Sequence, residues 1–127
     1  MNNLRIMVVD DSSITIKKIT QILEQIGHQV ICSSKTGADA LTLYEQYQPD
    51  VVTMDITMPD MDGITATSSI IKKFPNALII MITAHGQEQM VIESIDAGAK
   101  GYVLKPISPD KLQEMIFKVY GKYHLQQ

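Results

Sequence analysis

One cysteine, Cys32, in 127 residues leaves no possibility of an internal disulfide. The polar start MNNLR has none of the apolar core of a secretory signal, and together with the lone thiol this predicts a reducing, cytoplasmic setting. Long apolar runs are also missing. The longest, Ala77 to Ile82, soon meets Thr83 and His85, well short of the roughly 20 residues needed to cross a bilayer. No cluster of Lys or Arg appears, and the net charge is -3, so the chain carries no electrostatic footprint for nucleic acid or for an anionic membrane surface. Internal repeats and low-complexity tracts are absent too.

The composition, 45% hydrophobic and 20% charged, is that of a globular domain rather than a disordered chain. The length suits a single domain, residues 1–127 with a core over about 4–120, and is too short for a second functional domain. Short apolar, β-branched runs alternate with longer amphipathic stretches, the pattern of parallel strands and crossover helices. Strands are predicted at Leu4 to Val9, Val30 to Cys32, Val51 to Met54, Leu78 to Ile82 and Tyr102 to Leu104. Most are continuously apolar, as befits a sheet covered on both faces.

Helices are predicted over about Ser13 to Ile26, Gly37 to Tyr47, Ile64 to Phe74, Glu88 to Ala97, and from Pro109 onward with Ser108 as N-cap. Gly27 and Gly98 stand where the first and fourth should end, and Pro49 and Pro75 follow the second and third. The second helix should turn Ala40, Leu41 and Tyr44 inward, and the fourth carries Val91, Ile92 and Ile95. Cys32 reads as a small buried hydrophobe, the eight methionines as core filler, and His85 as an incidental loop histidine. Five βα units imply an α/β, doubly wound parallel sheet, in which ligands bind outside the carboxyl ends of the strands where strand order reverses.

Those ends carry Asp10 and Asp11 after the first strand, Asp55 after the third, Thr83 after the fourth and Lys105 with Pro106 after the fifth. If the first and third strands are neighbours, three carboxylates meet, and their repulsion calls for a divalent cation. Oxygen-only ligands without His or Cys favour Mg²⁺, Mn²⁺ or Ca²⁺ over zinc, and Mg²⁺ is the usual choice for phosphate chemistry. Phosphoryl transfer needs an in-line nucleophile with positive charge and donors around the transferring oxygens. Asp55 can attack, while Mg²⁺, Lys105 and the Thr83 hydroxyl take up the oxygens. Taken alone, an Asp10–Asp11 pair would more often cap the first helix than hold a metal.

VVDDS at Val8 to Ser12, MDITMPDMDG at Met54 to Gly63, TA at Thr83 and Ala84, and KP at Lys105 and Pro106 together resemble the receiver domains of two-component response regulators. The resemblance runs from Leu4 to about Tyr120 and is most like stand-alone, chemotaxis-type regulators. It implies a five-stranded, flavodoxin-like sheet in the order 2-1-3-4-5 with five helices. It implies Asp55 as phosphoacceptor, Mg²⁺ held by the side chains of Asp11 and Asp55 and the backbone carbonyl of Thr57, and Asp10 acting through water. It also implies Lys105 pairing with the phosphoryl group, a cis bond before Pro106, and Thr83 with Tyr102 as a switch pair. The implied partners are a histidine kinase as phosphodonor and an output protein on the face of the fourth helix, fifth strand and fifth helix. The chain itself would be a monomer or weak dimer, catalysing only its own phosphorylation and dephosphorylation.

Three other readings share part of this chemistry. An aspartate-nucleophile phosphatase would carry D-x-D on its first strand, whereas here the acceptor ends the third strand and Thr57 takes the place of the acid. A flavin module of the same shape would need a phosphate loop rich in Ser, Thr and Gly where Asp10 and Asp11 stand. The output alternative is a receiver fragment of a larger regulator, or a phosphorelay intermediate.

Overall fold

Five strands, β1 (Arg5–Val9), β2 (Gln29–Ser34), β3 (Val51–Asp55), β4 (Ile79–Thr83) and β5 (Gly101–Leu104), alternate with five helices, α1 (Ser13–Gln25), α2 (Gly37–Tyr47), α3 (Gly63–Lys73), α4 (Glu88–Asp96) and α5 (Pro109–His124). These elements come from a computed structural model that describes residues 3–58, 60–84 and 88–124. All strand pairs are parallel, in the order β2-β1-β3-β4-β5. The order reverses at β1 and β3, so the Asp-bearing ends of these two strands lie side by side at the switch point.

Alternate residues of each central strand feed opposite faces. Ile6, Val8, Val51, Ile80 and Ile82 pack with Ile19, Ile22 and Leu23 of α1 and Leu112, Ile116 and Val119 of α5. Met7, Val9, Val52, Met54, Ile79 and Met81 pack on the other side with Ala40 and Tyr44 of α2 and Ala66 and Ile70 of α3. This two-sided burial explains why the strands read as continuous apolar runs. Met7, Met54, Met58 and Met81 fill the second core as expected of methionine in irregular gaps.

The helix ends follow local chemistry. Ser12 caps α1 by accepting the Thr15 N–H, and Thr36 caps α2 by accepting the Asp39 N–H. Gly27, at φ 99°, turns the chain out of α1. Gln48 takes the left-handed conformation that ends α2 before Pro49, and α3 stops with Lys72 and Lys73 in its last turn before Pro75.

One expectation is corrected, that of Cys32, and α4 adds a feature the sequence left open. Ile92 and Ile95 of α4 face outward, 45% and 57% exposed, whereas the buried residue is Ser94. Met90 and Ser94, four residues apart, form the inner face, and the Ser94 hydroxyl satisfies itself on the Met90 carbonyl at 2.8 Å. Cys32 is only half-buried, because β2 is an edge strand and its outer side has no neighbour. No helix among the described residues is long and apolar enough to cross a membrane.

Candidate phosphoacceptor site

The parallel register of β1 and β3 sets Val9 against Met54, which brings Asp10 beside Asp55 one step further on. Carboxylate oxygens of Asp10, Asp11 and Asp55 all lie within 4.8 Å of one another. Asp10 and Asp55 are buried, while Asp11 is exposed at the rim. Asp10 is fully engaged: Oδ1 accepts the Ser12 N–H at 3.0 Å, and Oδ2 takes the Lys105 ammonium at 3.1 Å. Neither Asp caps α1, since Ser12 does.

Lys105 reaches across from the end of β5, with Nζ also 3.5 Å from Asp55 Oδ1. One ammonium therefore answers two buried carboxylates. Burial, then the neighbouring Asp10 carboxylate, push Asp55 up to about 6, and Lys105 offsets only part of this. The three carboxylates form a cluster that could hold a metal ion. The oxygen-only donor set suits a hard divalent ion.

Thr83 ends β4 beside the cluster, buried and in register with Leu104, and its carbonyl accepts the Lys105 N–H at 2.8 Å. Tyr102 is half-buried on β5, paired with Met81, and lines a cleft of about 440 Å³ with Lys111, Glu114, Met115 and Lys118 of α5. The Lys105–Pro106 bond is cis. Thr57 is exposed on the loop between β3 and α3, flanked by the buried Ile56 and Met58. His85 lies outside the described residues.

Residues 6–117 match the response regulator receiver domain. The chain belongs to this family. It is 43% identical over 115 residues to the chemotaxis protein CheY of Thermotoga maritima, covering 91% of this chain and 96% of that one. To the CheY of Bacillus subtilis it is 46% identical over 114 residues, covering 90% and 95%. The crystal structure of the CheX–CheY–BeF3–Mg²⁺ complex from Borrelia burgdorferi superposes with a TM-score of 0.89 at 38% identity, covering 94% of this chain and 90% of that one. The fold is thus the flavodoxin-like receiver fold, and the chain is a two-component signalling domain rather than a classical enzyme.

Two residues of this receiver domain matter more than their motif alone suggests. A side chain at Gly63 would place its Cβ 1.9 Å from the Asp55 carbonyl oxygen, so only glycine lets α3 start against the backbone of Asp55. Asp60 accepts the backbone N–H groups of Gly37 and Ala38 at the start of α2. Desolvation raises its pKa, but these bonds and that of Met61 outweigh it and hold the carboxyl below the usual carboxylate range. Both residues sit in the MPDMDG stretch, yet nothing in their spacing names these contacts.

Proposed function

We propose that this domain takes a phosphoryl group from the phosphohistidine of a histidine kinase, or from a small phosphodonor, onto Asp55, and then binds an output partner in its phosphorylated form. The observation that carries this reading is the meeting of Asp10, Asp11, Asp55 and Lys105 at the carboxyl edge of the sheet, with negative charge in excess. A carboxylate oxygen of Asp55 attacks phosphorus, the P–N bond to the donor histidine breaks, and the electron pair leaves with the imidazole. A carboxyl pushed up to about 6 is still mostly ionised at neutral pH, and so remains a competent nucleophile. Lys105, whose ammonium lies 3.1 Å from Asp10 and 3.5 Å from Asp55, would meet a phosphoryl oxygen as it arrives.

The side chains of Asp11 and Asp55 and the Thr57 carbonyl would hold Mg²⁺, with Asp10 acting through water. The ion, when bound, offsets the charge on the transferring oxygens. Dephosphorylation by water at the same phosphorus is the only other reaction this site would catalyse.

For output, the Thr83 hydroxyl would turn toward the phosphoryl group and the Tyr102 ring would move inward beside it. Exposed apolar side chains on α4 (Ile92, Ile95), β5 (Leu104) and α5 (Phe117) support this as the partner face. The identity to chemotaxis relatives favours a chemotaxis-type regulator acting in the cytoplasm, and the net charge of -3 without a basic cluster gives no support for direct contact with nucleic acid or an anionic membrane.

The test uses acetyl phosphate and Mg²⁺, read by intact mass. One phosphoryl group should be gained, its acyl phosphate should be base-labile, and chelation of the metal should prevent its formation. Asp55→Asn should take up none. Undiminished labelling of that variant would remove Asp55 as the acceptor.

A further inference from the structure

The loop that joins β3 to α3 is fastened at several points. Its ends are closed by the Gly63 N–H, which donates to the Ile56 carbonyl at 2.6 Å, and Ile56 and Met58 are buried in the second core. Met61 presses on Gly37, where any Cβ would stand 2.9 Å from the Met61 Cβ, so loop and helix approach as closely as glycine allows. Between these contacts the Asp60 carboxylate straddles the start of α2, accepting the Gly37 N–H on Oδ1 at 3.2 Å and the Ala38 N–H on Oδ2 at 3.3 Å.

The first N–H groups of a helix have no partner within it. In α2 the Thr36 N–H is met by the Ser34 hydroxyl and the Asp39 N–H by the Thr36 hydroxyl. The remaining two, Gly37 and Ala38, go to Asp60, an acceptor from another element. A carboxylate at the positive end of the helix also gains from the helix dipole. Because α2 is itself anchored through the buried Ala40 and Tyr44, this bond ties the loop to a rigid reference.

We infer that Asp60 is a positioning residue for the metal site: by docking the loop on the N-terminus of α2 it fixes the Thr57 carbonyl relative to Asp11 and Asp55. The inference rests on the metal-site reading given above. Asp60 touches neither metal nor phosphoryl group. Asp60 stands three positions after Thr57 in the sequence.

The experiment titrates Mg²⁺ into the full chain and follows amide NMR shifts, with thermal melts and phosphorylation rates at limiting and saturating Mg²⁺ measured alongside. Asp60→Ala should weaken Mg²⁺ binding roughly tenfold, the lower end of the usual cost of losing a residue that orients a metal ligand. Its phosphorylation should slow at limiting Mg²⁺ and recover at saturation. Asp60→Asn, which keeps one acceptor oxygen, should fall between parent and Ala.

Thr36→Ala is the control for a merely structural role. It deletes the other side-chain acceptor at the same helix end, so it should lower the melting temperature yet leave Mg²⁺ affinity unchanged. Should Asp60→Ala fail to fold, Ala38→Pro removes one of the two donors at a position in the first turn where proline is tolerated, and should weaken Mg²⁺ binding by a smaller factor. A folded Asp60→Ala protein that binds Mg²⁺ like the parent overturns the positioning role, as does a Thr36→Ala protein that loses as much affinity. A parent protein that binds no Mg²⁺ overturns the metal-site reading itself, and the proposal with it.

Discussion

The two edges of the sheet use the same charges to opposite ends. At the amino edge, Asp50 accepts the Arg5 N–H at 2.8 Å, and the Arg5 guanidinium donates to the Tyr47 and Gln48 carbonyls at 2.7 and 3.0 Å, where α2 ends. Cation and carboxylate there each have backbone partners, and the cation sits at the negative end of a helix. At the carboxyl edge, Asp10 and Asp55 are buried against each other with one lysine between them, and Asp55 is pushed up to about 6. A satisfied charge holds the fold together. A charge that the fold leaves in conflict is the physical basis of the site proposed above.

The sharpest way to break this contrast is to neutralise one charge at each edge. Asp55→Asn should stabilise the metal-free protein by up to about 3 kcal/mol at neutral pH, since each pKa unit is about 1.4 kcal/mol of differential interaction. The sign follows from proton uptake. Between the ordinary carboxylate value of 3.8 and about 6, folded Asp55 holds a proton that the unfolded chain does not. Its contribution therefore opposes folding above about pH 6 and fades as the pH falls toward 4. The gap between parent and Asp55→Asn in chemical denaturation should be widest at neutral pH and close toward pH 4. Equal stability at both pH values would mean that the carboxylates are not in conflict.

Arg5→Ala should act in the opposite direction and more weakly, costing about 1–2 kcal/mol, because its bonds are charge-assisted but lie at an exposed edge. Phosphorylation of Asp55 at saturating Mg²⁺ should keep the parent rate. A variant that keeps its stability but phosphorylates slowly would mean that the two edges are coupled through β1, and the division into structural and reactive edges would not stand.

How far this division could be read without coordinates depends on the range of the interactions involved. The strands were legible because burial on both faces demands continuous apolar runs, and Asp10, Asp55, Thr83 and Lys105 because each ends one of those runs. Contacts between distant residues were not. His28, buried, accepts the Leu4 N–H on Nδ1 at 3.2 Å, which leaves Nε2 to donate to Gln113 Oε1 at 2.8 Å across 85 positions of sequence. Asp60 meets an N–H 23 positions earlier, and no periodicity announces either pairing. The outward turn of Ile92 and Ile95 was hidden for a different reason. An apolar residue at helical spacing looks the same whether its partner is the sheet or another protein.

The mildest test lies between the edges, in the middle of β3. Thr53 is 1% exposed, flanked by Val8 on β1 and Ile80 on β4, and its Oγ1 is the one buried side-chain oxygen without a hydrogen-bond partner among the described residues. A hydroxyl that loses its water and gains no partner opposes folding, whereas a methyl of the same shape would not. Thr53→Val should therefore stabilise the protein by up to ~1 kcal/mol, about 3–5 °C in melting temperature for a chain of this size. Because Thr53 points into the core beneath α1 and α5, with Asp55 two residues on at the strand end, the rate of phosphorylation should not change. A more stable protein with parental kinetics would show that not every unsatisfied group is a functional one: position at a strand end, together with charge, makes the difference. A Thr53→Val protein that phosphorylates more slowly would place the hydroxyl among the supports of Asp55, and the reactive region would then extend down the strand from its edge.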